Sequence, residues 1–136
     1  MSLTVFRVAI VLSGALVVLL GLNVALGGMA TAGWLGERPF FTVTDDEQYR
    51  LLDSHIRFFG GYFAAAGAFL LFAASNPLKY AQALFLVFAT IFAGGLARFS
   101  LPDAEVFMNP DVFSALAAEL VLMPVLAFWL SRLRRG

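Results

Sequence analysis

Four long apolar stretches, separated by polar turns, organise this chain. Each stretch is close to the roughly 20 apolar residues that a helix needs to cross a bilayer. Turns at Pro77 and Pro110 interrupt the apolar pattern at points that a helix does not cross easily. The pattern predicts an all-α fold, an integral membrane four-helix bundle with spans at about residues 5–27, 55–75, 78–99 and 111–131.

The composition agrees with a membrane location. Of the 136 residues, 61% are hydrophobic and 13% are charged, whereas a soluble domain has roughly 25% charged residues. Four spans use more than half of this length, so we expect one transmembrane domain covering residues 1–136. The nine Lys and Arg balance the nine Asp and Glu, which argues against a nucleic-acid partner. The absence of cysteine excludes disulfides and thiolate chemistry.

The first apolar stretch has an alternative interpretation. Arg7, the apolar run after it and the small residues Ala30, Thr31 and Ala32 also resemble a signal peptide with its cleavage site. The run is longer than the apolar region of a usual signal peptide, which favours a membrane span.

The longest polar segment is an extramembrane loop predicted at about residues 28–54. It combines charges with aromatic residues, a mixture typical of the headgroup level, at Trp34, Phe40, Phe41 and Tyr49. Within it we predict a short interfacial helix over about residues 45–52, with Thr44 as its N-cap and Glu47 completing a capping box. An irregular loop is the alternative.

The distribution of basic residues predicts the orientation. One side of the membrane carries Arg7, Lys79, Arg132, Arg134 and Arg135 and lacks acidic residues near them. The other side carries most of the carboxylates, although Arg38 and Arg50 lie there too. Because lysine and arginine accumulate in cytoplasmic segments, we expect a multi-pass protein of the bacterial inner membrane with both termini in the cytoplasm.

Several polar residues lie at or inside the ends of the spans, all near the predicted outer face. They are Asp53, His55, Arg57, Arg98 and Glu119, and Asn23 could join them. Charges in hydrocarbon are costly and usually face protein or water, which makes each a candidate for a functional site. Glu119 lies roughly 12 Å along the helix from Asp111, so it needs a partner, and Arg57 and Arg98 are the available cations.

Small residues accompany both arginines. Gly60, Gly61, Ala64 and Ala68 share a helix face with Arg57, and Gly94 and Gly95 precede Arg98. Such residues let membrane helices approach closely, so we expect the arginines to point into the bundle and to meet Glu119. Pro124 should loosen the fourth span one turn after Glu119. Snorkelling of the arginines and a purely structural ion-pair network remain open alternatives.

Three stretches carry a resemblance to a known family. They are DSHIRFFGG at 53–61, GGLARFS at 94–100 and AEL at 118–120. Over residues 51–135 the chain resembles an uncharacterised bacterial family of small four-helix membrane proteins, which is similar in layout to the DoxX-like proteins. The resemblance implies four helices and a shared polar cluster at His55, Arg57, Arg98 and Glu119. It implies no reaction.

A pocket open toward the outer leaflet is the function that these features favour. It would bind a small amphiphile, either a lipid headgroup or a quinone-like molecule, or serve a membrane complex as an accessory subunit. Arg57 and Arg98 would donate hydrogen bonds to the ligand, Glu119 would orient them, and His55 would guard the entrance. The expected partners are membrane lipids, a membrane protein or a second copy of the chain.

Two further function classes stay open. In a membrane-embedded enzyme, Glu119 and His55 would form an acid–base pair acting on a lipid-soluble substrate. A purely structural helix-bundle subunit would need no ligand. Transport is the function that the sequence favours least, because the chain lacks the paired broken helices that transporters have. His55 is the only histidine and no phosphate-binding glycine loop is present, so we predict no metal and no cofactor.

Overall fold

The computed structural model describes residues 2–30, 42–100 and 103–135, and in these ranges it contains helices and turns but no strands. The α-helices are α1 (Leu3–Gly27), α2 (Asp46–Ala73), α3 (Ala81–Ala97), α4 (Ala104–Met108), α5 (Pro110–Ala117) and α6 (Met123–Leu133). Single 3-10 turns follow α1 and α3, at Gly28–Ala30 and Arg98–Ser100, and a π-helical segment, Ala118–Leu122, joins α5 to α6.

Four helical stretches are long and apolar enough to cross a membrane. They are Leu3–Ala30, Asp46–Ala73, Ala81–Ser100 and Val112–Leu133. Large apolar side chains such as Leu12, Leu86 and Phe128 stay more than half exposed on these helices, as expected for surfaces that contact acyl chains rather than water. The predicted all-α fold class with four spans is therefore confirmed.

The second span begins earlier than predicted. Residues from Asp46 onward form the first turns of α2, so the loop ends near Asp45, and the expected separate interfacial helix is part of α2. The predicted N-cap, Thr44, was also wrong. Asp45 caps the helix, and its Oδ1 accepts hydrogen bonds from the amides of Glu47 and Gln48, both at 3.0 Å. A carboxylate at this position also interacts favourably with the positive end of the helix dipole.

The connection before the fourth span contains a short helix where only a loop was predicted. Asp103 caps α4 by accepting hydrogen bonds from the amides of Glu105 at 3.0 Å and Val106 at 3.3 Å. Pro110 then begins α5, because the first position of a helix needs no amide donor. The aromatic residues predicted at the headgroup level, Trp34, Phe40 and Phe41, lie outside the described residues.

The described residues group into two compact units. Ala9–Ala74 form one, called here the N-terminal unit, and the residues up to Val8 together with those from Ser75 onward form the other, the C-terminal unit.

In the N-terminal unit, glycines bring α1 and α2 together as antiparallel neighbours. A Cβ at Gly67 would lie 2.8 Å from the carbonyl oxygen of Gly14, and one at Gly21 would lie 2.9 Å from that of Gly60. Both separations are shorter than normal van der Waals contact. The glycines recur at intervals of seven residues on each helix, which keeps them on one face. Only glycine allows the two backbones to lie this close.

In the C-terminal unit, α3 packs against the fourth span. Leu84 and Phe88 of α3 and Leu126 and Leu130 of α6 are almost fully buried. Phe6 is also fully buried, and its ring lies edge-on to Trp129 at a centroid distance of 5.6 Å. This packing fixes the relative positions of the end of α3 and the π-helical segment.

Candidate functional site

Arg98 and Glu119 form a bidentate ion pair in the C-terminal unit. The Arg98 Nε donates to Glu119 Oε2 at 2.7 Å, and Nη2 donates to Oε1 at 2.8 Å. Arg98 opens the 3-10 turn after α3, and Glu119 lies in the π-helical segment. This is the parallel fork geometry in which a guanidinium binds a carboxylate most strongly. Arg57 and Arg98 were both predicted as partners of Glu119, and the structure shows Arg98 bound to it.

The backbone beside Glu119 departs from α-helical hydrogen bonding. The amide of Met123 donates to the carbonyl of Ala118, five residues earlier, which is the π-helical pattern. The next residue, Pro124, has no amide to donate and cannot continue a regular ladder. The fourth span was predicted to loosen one turn after Glu119, whereas the structure has a π-helical turn, Ala118–Leu122, that contains Glu119 itself. Such turns occur frequently at functional sites.

Gly95 allows α3 to approach this segment. A Cβ at position 95 would lie 2.8 Å from the Cβ of Glu119 and 2.8 Å from Cδ2 of Leu120. Its neighbour Gly94 has no described atom within 4 Å of the equivalent position. The close approach at Gly95 places the Arg98 guanidinium, one turn further along, level with the carboxylate.

The two members of the pair differ in exposure. The Glu119 side chain is 9% exposed, whereas that of Arg98 is 41% exposed. Both carboxylate oxygens are occupied by Arg98, but the pair uses only Nε and Nη2 of the guanidinium. The two N–H groups of Nη1 take no part in the hydrogen bonds to Glu119. Chemically, the arrangement is a fixed cation with an accessible side, able to donate to an anionic or carbonyl oxygen.

Arg57 and Asp53 form a second ion pair, in the N-terminal unit. The Arg57 Nε donates to Asp53 Oδ2 at 2.6 Å, and its Nη1 donates to the carbonyls of Leu26 at 2.6 Å and Ala25 at 3.3 Å. These carbonyls belong to the last turn of α1, where the helix offers them no partner. Arg57 therefore caps the end of α1, a structural task that the sequence did not indicate.

Asp53 completes the cap from the other side. Its Oδ1 accepts a hydrogen bond from the amide of Met29 at 2.7 Å. The preceding residue, Gly28, has φ +57°, a left-handed conformation that favours glycine directly after a helix. Asp53 and Arg57 thus bind one amide and two carbonyls where α1 ends.

The remaining predicted site residues lie in the N-terminal unit. The side chain of His55 is exposed on α2. Asn23 is half-buried in α1, and its Oδ1 is buried without a hydrogen-bond partner among the described residues. The structure thus brings together Arg98 with Glu119 and Asp53 with Arg57. The convergence of all these residues in one cluster stays a prediction.

The prediction that small residues near the arginines allow close helix approach holds for some of these residues. Gly60 contacts the backbone of α1 at Val24 and Ala25, but Gly61 has no described atom near its missing Cβ. Gly14, Gly21 and Gly67 also lie in the α1–α2 contact, and they were not among the residues predicted to bring these helices together. Their spacing of seven residues was the signal that could have identified them.

Comparisons with known proteins place the chain in a family. No curated protein and no solved structure matches it. A family match extends from residue 5 to residue 130, which is most of the chain, and the protein therefore belongs to the family described as "Domain of unknown function (DUF4345)".

Proposed function

We propose that this protein binds a small amphiphile through Arg98, by an anionic or carbonyl oxygen of a lipid headgroup or a quinone-like molecule. The observation that supports this is the unequal exposure of the ion pair. A buried Glu119 fixes the guanidinium through two hydrogen bonds, while Arg98 itself is 41% exposed. A cation held in place before the ligand arrives loses little conformational entropy on binding.

The membrane location and orientation of the protein are part of the same proposal. The protein is a multi-pass protein of the bacterial inner membrane with a DoxX-like layout and cytoplasmic termini, and Arg98 faces the outer leaflet. Because Arg57 already caps α1, Arg98 is the principal ligand-binding residue.

A structural subunit is the second candidate. The bidentate pair joins α3 to the π-helical segment, which is also the geometry of polar residues that hold membrane helices together. In this alternative the exposed side of Arg98 contacts a helix of a membrane partner.

Native mass spectrometry of the protein released from lipid nanodiscs distinguishes these functions. We expect the wild type to retain a small molecule or added decylubiquinone. Arg98→Gln loses the charge-assisted hydrogen bonds, so it should retain about tenfold less of the same molecule. The matched control is Arg50→Gln, an exposed arginine on the same predicted side whose Nε donates to the Asp46 carbonyl in its own helix.

Glu119→Gln separates binding from folding. If the pair positions a ligand, this variant should lose the retained molecule while its helical content and melting temperature stay close to those of the wild type. A folded Arg98→Gln protein that retains the molecule as well as the wild type would contradict the binding function. A stable protein partner that is lost from the same variant would instead support the subunit function.

A further inference from the structure

Two open grooves in the C-terminal unit meet at Phe85, and they differ in chemistry. The apolar groove has a volume of about 280 Å³ and is lined by Phe85, Phe88 and Phe92 of α3 and by Met123, Pro124 and Ala127 of α6. The basic pocket has a volume of about 370 Å³ and is lined by Phe85, Ser131, Arg134 and Arg135. Because Phe85 borders both, the apolar groove and the basic pocket are adjacent.

The two grooves follow each other along the helix axis. Arg134 lies ten residues after Pro124, a distance of about 15 Å along a helix. The hydrocarbon core of a bilayer is about 30 Å thick, so this distance matches the depth of one leaflet. Both walls of the apolar groove belong to candidate membrane spans. The basic pocket therefore lies where headgroups are expected, and the apolar groove lies at the depth of acyl chains.

The charges of the basic pocket suit a phosphate group. Arg134 and Arg135 are both exposed, and no carboxylate is among the described residues that line the pocket. The hydroxyl of Ser131 donates to the carbonyl of Phe128 at 2.7 Å, so the arginines are the donors that the pocket offers. Guanidinium groups bind phosphate oxygens through parallel hydrogen bonds.

We propose that these grooves form a binding site for an anionic phospholipid, with its phosphate on Arg134 and Arg135 and one acyl chain between α3 and α6. Basic pockets beside membrane helices bind anionic headgroups in this way. The basic pocket is separate from the Arg98–Glu119 pair, because Glu119 precedes Arg134 by fifteen residues, about 22 Å along a helix. It does not depend on the function proposed for that pair.

Lipid titration of the purified protein in dodecyl maltoside, read by native mass spectrometry, tests this site. We expect dioleoyl phosphatidylglycerol to be retained at collision energies that remove dioleoyl phosphatidylcholine. The double variant Arg134→Gln/Arg135→Gln should retain the anionic lipid about tenfold less. Both positions are exposed, so the variant should fold. The matched control is Arg7→Gln, which removes an exposed arginine elsewhere in the chain.

A second pair of variants tests the apolar groove. Ala89 also lines it, and Ala89→Trp should fill it and reduce retention of the anionic lipid. Ala83→Trp, at an exposed position on the other side of α3, should leave retention unchanged. Glycerol phosphate, which has no acyl chain, should not be retained by the wild type.

Three results would overturn the proposal. They are equal retention of the two phospholipids, unchanged retention in the double arginine variant, and an equal loss in Arg7→Gln. Retention of glycerol phosphate, or an unaffected Ala89→Trp protein, would overturn the part that assigns an acyl chain to the apolar groove.

Discussion

At the scale of single residues, two arginines that look alike in the sequence have different tasks. Both lie three residues from a glycine that contacts a neighbouring helix, and both bind a carboxylate. Arg57 binds a carboxylate on its own helix and uses its remaining donors on the carbonyls that end α1. Arg98 binds a carboxylate on a distant segment and keeps an exposed side. This difference makes Arg98 the stronger candidate for ligand binding.

The capping task of Arg57 can be tested with Arg57→Lys. Lysine keeps the charge but cannot bind a carboxylate and two carbonyls with one planar fork, so the end of α1 should lose hydrogen bonds. We expect the free energy of unfolding to fall by about 1–2 kcal/mol, measured by thermal unfolding in dodecyl maltoside. Arg50→Lys is the control, since the Nε of Arg50 donates to the carbonyl of Asp46 in its own helix. Equal melting temperatures for the two variants would contradict the cap.

At the scale of secondary-structure elements, adjacent glycines provide a matched pair of variants. Gly95→Ala should destabilise the protein by about 1–3 kcal/mol, because its Cβ would overlap Glu119 and Leu120 and the helices would have to separate. Gly94→Ala adds the same methyl group where no described atom lies within 4 Å, so it should be neutral or stabilising.

Thermal unfolding compares these two variants directly. The separation of α3 from the π-helical segment should also weaken the Arg98–Glu119 pair, so Gly95→Ala should lose any retained amphiphile along with stability. A Gly95→Ala protein that melts at or above the temperature of Gly94→Ala would show that α3 does not approach Glu119 as described.

The bounds of α2 show what hydropathy can predict about an element. The apolar pattern begins near His55, and the prediction placed the start of the span there. The helix itself starts at Asp46, because its polar first turns are stabilised by the Asp45 cap. Hydropathy indicates which residues suit the hydrocarbon, whereas hydrogen bonding and capping decide which residues are helical.

At the scale of the whole molecule, the predicted orientation can be tested by cysteine labelling. The chain has no cysteine, so single variants can be made without first removing any. We expect Thr44→Cys to react with a membrane-impermeant maleimide in intact spheroplasts, and Ser2→Cys and Lys79→Cys to react only after the membrane is opened. The reason is the bias of basic residues toward the cytoplasm. The reverse labelling pattern would contradict the orientation.

The predicted convergence of the two arginines is a second property of the whole molecule. A double-mutant cycle of Arg57→Gln and Arg98→Gln measures it through the free energy of unfolding. Residues that share one polar cluster should show an interaction energy of about 0.5–3 kcal/mol. Additive effects would show that the Asp53–Arg57 and Arg98–Glu119 pairs act independently, and the single-cluster prediction would then be wrong.

The fold class and the family of this protein follow from its amino-acid sequence. Hydropathy and turn residues predicted four spans and an all-α fold, and the motifs around Arg57, Arg98 and Glu119 indicated an uncharacterised family, which the match over residues 5–130 bears out. Each of these properties belongs to a local stretch of chain, because whether twenty residues suit a bilayer depends on those residues alone.

The contacts between distant residues became known from the folded structure. It paired Arg98 with Glu119 across 21 residues and brought Arg57 to the carbonyl of Ala25 across 32. It also selected Gly60 and Gly95, rather than Gly61 and Gly94, for helix contacts. These choices depend on the rotation and spacing of helices that are distant in the sequence. Local composition does not encode such distances, so these contacts follow from helix packing rather than from hydropathy.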